Sequence, residues 1–97
     1  MADPNLKARI ESVLHRAFSG PLDRVHVFDG YAENVHAWVA SPTFEGTPDY
    51  IRQDRVWDAL RADLPASDLV LVSLILCFAP DEPEYQWELR EHDSASR

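Results

Sequence analysis

The stretch that decides the fold is Arg24-Val25-His26-Val27-Phe28-Asp29-Gly30, continued through the short loop to Asn34 and then Val35-His36-Ala37-Trp38-Val39-Ala40. Two runs rich in β-branched and aromatic residues flank a turn signal, Asp29-Gly30, which predicts an antiparallel hairpin. Alternation along a strand sends Val25, Val27, Val35, Ala37 and Val39 to one face. His26, Phe28, His36 and Trp38 fall on the other face. One face is thus aliphatic, and the other carries rings and imidazoles.

Outward from the hairpin, both flanks read as helical. Upstream, Asp3-Pro4 supplies an N-cap and a first-turn proline. Leu6, Ile10, Val13, Leu14 and Ala17 then follow at helical spacing, and Gly20-Pro21 is the expected stop. Downstream, Ser41 to Gly46 reads as a loop, and Thr47-Pro48 repeats the cap-and-proline pattern. A helix to about Leu64 follows, with Val56, Ala59, Leu60 and Leu64 as its apolar stripe and Pro65 as its end. Asp49 to Arg52 is expected to form a separate short turn of helix. Leu69 to Phe78, apolar with little alternation, predicts a strand buried on both sides. Pro83 opens a short terminal helix bearing Tyr85, Trp87 and Leu89.

The fold class is therefore α+β: a three-stranded mixed sheet with helices packed on one face, in the order αββααβ with an added terminal helix. Residues 1–90 form one domain and 91–97 a polar C-terminal tail. The ring-bearing face, with Phe28 and Trp38, is left open by this arrangement. Part of it is expected to lie under Tyr85 and Trp87, and part in a homodimer through that face.

Composition limits the function. The net charge is −8, of which −4 falls in residues 81–97, and Lys7 is the sole lysine. Phosphate binding needs clustered cations, so nucleic acid and anionic membranes are disfavoured as partners. The longest apolar run, Leu69 to Ala79, is far shorter than the ~20 residues needed to span a bilayer. A single cysteine, Cys77, allows no internal disulfide; with no leader-like start, a cytoplasmic location is expected. Cys77 sits in an apolar strand, where a free thiol is expected to be inert core. His26 and His36, in near-opposite register, would come within cross-strand distance, yet no third metal ligand accompanies them. Neither a cofactor nor a catalytic constellation is expected: Asp54, Asp58 and Asp63 alternate with Arg55 and Arg61 as on an ordinary helix surface.

Several strings resemble the BolA family, small proteins with an αββααβ fold related to one class of KH domain. The segment Val39-Ala40-Ser41-Pro42-Thr43-Phe44-Glu45-Gly46 is similar to the family's strand ending in Ser, two residues, Phe and a small turn. Arg52 to Leu60 resembles its Arg-His-Arg stretch and following helix, and Asp81-Glu82-Pro83 to Trp87 its acidic, proline-containing end. The resemblance implies a regulatory, stress-response type of role. It also implies partnership with monothiol glutaredoxins in iron–sulfur trafficking or, in some members, DNA binding. The cluster role uses a His early in the second helical region and a Cys or His in the hairpin loop. Here those positions read Gln53 and Asn34, and a neutral amide is a poor iron ligand. A KH-type Gly-x-x-Gly phosphate loop is absent. The expectation is a divergent BolA-like protein-binding module, with Arg52, Gln53, Asn34, His26, His36, Phe28 and Trp38 as its partner-binding residues.

Overall fold

A computed structural model describes residues 1–95. Helix α1 (Pro4–Ala17) leads into strands β1 (Arg24–Asp29) and β2 (Val35–Ala40). A 3-10 turn at Pro42–Phe44, helices α2 (Asp49–Asp63) and α3 (Ala66–Leu69), strand β3 (Val72–Phe78) and helix α4 (Pro83–Ala95) follow. The sheet order is β1-β2-β3, antiparallel between β1 and β2 and parallel between β2 and β3. A parallel neighbour requires a crossover, which α2 and α3 supply. The expected α+β fold with a three-stranded mixed sheet is the one observed.

Asp3 caps α1, its side chain accepting from the Asn5 N–H at 2.9 Å, with Pro4 in the first turn. Leu6, Ile10, Val13 and Leu14 are buried, whereas Ala17 is exposed. The helix ends at Ala17, ahead of the Gly20-Pro21 stop. Phe18 leaves helical geometry and sets its ring edge-on to Phe44, with centroids 5.6 Å apart. Gly20 does not take the left-handed conformation of a glycine cap; Phe18 occupies the C-cap position.

Helix α2 is continuous from Asp49 and is not split near Arg52. Pro48, not Thr47, occupies its N-cap position, and the preceding Gly46 takes the left-handed conformation at φ 67°. Val56 and Leu60 are fully buried and Leu64 nearly so. The second helix of the crossover instead follows Pro65. Residues 66–69 coil as α3, so β3 begins at Val72 rather than at Leu69. Asp68 in that turn is held by Arg9 of α1 at 3.1 Å.

Two cores lie on opposite sides of the sheet. The larger joins α1 and α2 to Val35, Ala37, Val39, Ile75 and Cys77. The smaller joins Trp38, Ala40 and Phe78 to Tyr85 of α4, with Phe28, Leu76 and Leu89 at its margin. Part of the ring-bearing face is therefore closed by the chain's own α4, as expected of Tyr85. Tyr85 is 7% exposed, but Trp87, expected to share in this cover, is 56% exposed. Helix α4 runs on to Ala95, so most of the segment expected to be a polar tail is helical; the last two positions of that tail lie outside the described residues. Among the described residues no helix is long and apolar enough to cross a membrane.

Candidate functional site

The hairpin loop sets the register of the ring-bearing face. Gly30 N–H donates to the Asn34 carbonyl at 2.8 Å, and Asn34 N–H to the Tyr31 carbonyl at 3.0 Å. Ala32 turns the loop with φ 55°. This closure pairs His26 with Trp38 and Phe28 with His36. The two imidazoles are therefore diagonal across the hairpin and not opposite each other, which corrects the near-opposite register expected. His26 stacks on Phe28 at 5.2 Å and tilts against Trp38 at 5.5 Å, while Phe28 meets His36 edge-on at 5.6 Å. Trp38 is 5% exposed, buried beneath α4 against Tyr85. Among the described residues no group of three or more His, Cys, Asp or Glu side chains is placed to hold a metal.

Arg52 does not face solvent from the start of α2; it is turned inward and buried. Its Nε donates to the Thr47 carbonyl at 2.7 Å and Nη1 to the Cys77 carbonyl at 3.3 Å. Both terminal nitrogens meet the Glu82 carboxylate, at 2.8 and 3.0 Å. Glu82 also accepts from the Ala79 N–H at 2.8 Å. The hydrogen bond from Arg52 holds the Glu82 carboxyl below the usual carboxylate range, and the same bond raises the guanidinium. The guanidinium lies 5.7 Å from the centre of the Phe44 ring. Arg52 thus fastens the loop before α2, the end of β3 and the turn into α4.

Gln53 is committed as well. Its Nε2 donates to the Ile75 carbonyl at 2.9 Å, and its Oε1 accepts from the Trp57 indole at 3.2 Å. With its amide engaged at both ends, Gln53 does not fit the role of a cluster ligand, and Asn34 brings only an amide to the hairpin loop. Neither position suits an iron–sulfur cluster. Cys77 is buried on β3, and burial pushes its thiol up to about 12.

The structure also draws attention to residues outside the expected set. Leu76, Phe78, Pro83, Glu84, Trp87 and Glu88 line an open groove of about 470 Å³ between β3 and α4. Beside it, a hollow of about 380 Å³ holds Asp49, Gln53 and Glu82 near Cys77. The partnership of Glu82 with Arg52 had no sequence signal, because the two stand far apart and Glu82 sits in an otherwise ordinary acidic stretch. Trp87 was visible as an aromatic of the terminal helix, but its side of that helix was not.

No family model and no curated protein sequence matches this chain. Among solved structures it is similar to a Bol-like protein from Babesia bovis. The two are 23% identical, the match covers 88% of this chain and 92% of that one, and the TM-score is 0.52. The chain is an α+β domain with the BolA-like fold. At this identity the likeness establishes the architecture and leaves the site to be argued from its own residues.

Proposed function

We propose that this chain is a divergent BolA-like protein that works by binding another protein, as a regulatory adaptor without a cluster of its own. The observation that carries the reading is the amide of Gln53. Within a BolA-like fold it stands where the resemblance places a ligand histidine, and it is spent on the Ile75 carbonyl and the Trp57 indole. What remains for function is surface. The low content of basic residues, with a net charge of −8, speaks against nucleic acid and for a protein partner. A monothiol glutaredoxin is the first partner to try, with contact through the surface around Asn34, His36 and the β3–α4 groove. Tyr85 already covers Trp38, so self-association through the ring-bearing face would use the part that carries His26, Phe28 and His36. No catalytic step is assigned.

The test is to mix the protein with cluster-loaded monothiol glutaredoxin, following complex formation by sedimentation and the cluster by visible absorption. A complex with an unchanged cluster spectrum is expected. A new spectrum would show that this chain donates a ligand, and would replace the adaptor reading with a cluster-carrying one.

A further inference from the structure

The groove between β3 and α4 stands out on a charged surface. Leu76, Phe78, Pro83 and Trp87 give it an apolar floor, and Glu84 and Glu88 flank it. Trp87 is 56% exposed although its neighbour Tyr85 is 7% exposed. Successive residues of a helix turn by roughly 100°. Anchoring Tyr85 on Trp38 and Phe78 therefore leaves Trp87 on another side of α4. A large indole in water beside other apolar side chains is the usual mark of a contact surface.

The surroundings narrow the occupant. The outer edge of β3 is open in the sheet order, but its Ile75 and Cys77 carbonyls already accept from Gln53 and Arg52. An edge blunted in this way does not invite an added strand, so the occupant docks through its side chains. Asp49 and Glu84 line the adjoining hollow and have no ion-pair partner among the described residues. Glu82 is already neutralised by Arg52. The complement is an apolar anchor accompanied by positive charge. A second copy of this chain, itself carrying a net charge of −8, is poorly suited to supply it. Of nine basic residues, Lys7, Arg9, Arg16, Arg52 and Arg61 are paired with the chain's own acids.

We propose that the β3–α4 groove takes a short segment of a partner protein in which an aromatic or aliphatic residue is flanked by Lys or Arg. The anchor rests on Trp87 and Phe78, and the cations reach Glu84 and Asp49. This deepens the adaptor reading and rests on it.

The experiment uses a short fluorescein-labelled peptide in which phenylalanine and leucine alternate with lysine, followed by polarisation against the full chain. Two control peptides replace every lysine by glutamate, or every apolar residue by serine. The first peptide binds and the controls do not. W87S and E84K, both surface changes whose folding is checked by circular dichroism, each weaken binding about tenfold, as loss of a central contact does. E11K makes the same charge change on α1, across the sheet, and leaves binding within about twofold, as expected of a remote, screened charge. Equal loss from E11K and E84K, no effect of W87S, or equal binding of the serine control would overturn the proposal. A glutaredoxin complex that forms with unchanged affinity in W87S and E84K would also overturn the groove, while leaving the adaptor reading intact.

Discussion

Arg52 and Glu82, thirty positions apart, meet in a two-pronged contact of 2.8 and 3.0 Å. The arginine is nearly enclosed, whereas the carboxylate keeps about a third of its surface in water. The pair joins the start of α2 to the turn before α4. Replacing Arg52 by methionine keeps much of the volume but strands the carboxylate and the Thr47 and Cys77 carbonyls. The expected cost is about 3 kcal/mol, the scale for breaking a largely buried pair from one side. Urea denaturation of R52M against the parent measures it, and a loss below about 1 kcal/mol, the scale of a solvated ion pair, would contradict this account.

The same contact sets an acid dependence. Glu82 titrates below its ordinary value in the folded chain because Arg52 donates to it. Its contribution is therefore complete above the unfolded pKa of about 4.3 and is lost as pH falls through the lower, folded value. Asp29, lowered chiefly by its hydrogen bond from Lys7, slopes the same way. Melting temperatures followed from pH 6 down to pH 3 should fall less steeply for E82Q than for the parent; parallel curves would refute the linkage.

Cys77 is expected to be unreactive in the native protein. With burial pushing its thiol up to about 12, thiolate is scarce at neutral pH and the sulfur is screened by the core. A colorimetric disulfide reagent at pH 8 should label the chain slowly, and promptly once urea is added. Equal rates in the two conditions would show an open thiol.

Gln53→Ala removes the partner of a strand-edge carbonyl and of the Trp57 indole at once. Water can reach this half-buried site, so the cost should be about 1 kcal/mol. Proton NMR should also show a displaced Trp57 indole resonance. An unmoved resonance would mean that the amide is not its partner.

Gly30 lies under His36. A Cβ there would stand 2.6 Å from the His36 ring. Gly30→Ala must therefore displace the imidazole from its present position, with a modest loss of about 1 kcal/mol. The His36 ring proton shifts, now set by the edge-on Phe28, report the movement directly.

The parts of the fold that depend on neighbours in sequence were readable. Alternation from Val25 to Val39 gave the two faces of the hairpin, and the spacing of Val56, Leu60 and Leu64 gave the buried side of α2. Leu69 to Leu71 misled because a short apolar run fits a helical turn as well as a strand. The diagonal placement of His26 and His36 depended on the loop closing from Gly30 to Asn34, which no periodicity reveals. Arg52 resembled a surface arginine because its acid lies on a distant turn. Tyr85 and Trp87 were equal candidates for the sheet cover, since the phase of α4 is decided by packing against Trp38 and Phe78 and not by its own sequence.

The Trp38 indole N–H is buried beside α4 and meets no acceptor among the described residues. An unmet donor of this kind costs about 1–3 kcal/mol, charged against the seating of α4. The helix is thus held under a standing handicap that α1 and α2, on the aliphatic side, do not carry. Amides of α4 should exchange with deuterium ahead of theirs, and once Trp57 and Trp87 are replaced by phenylalanine the emission of Trp38 becomes an optical gauge of how firmly that helix is seated.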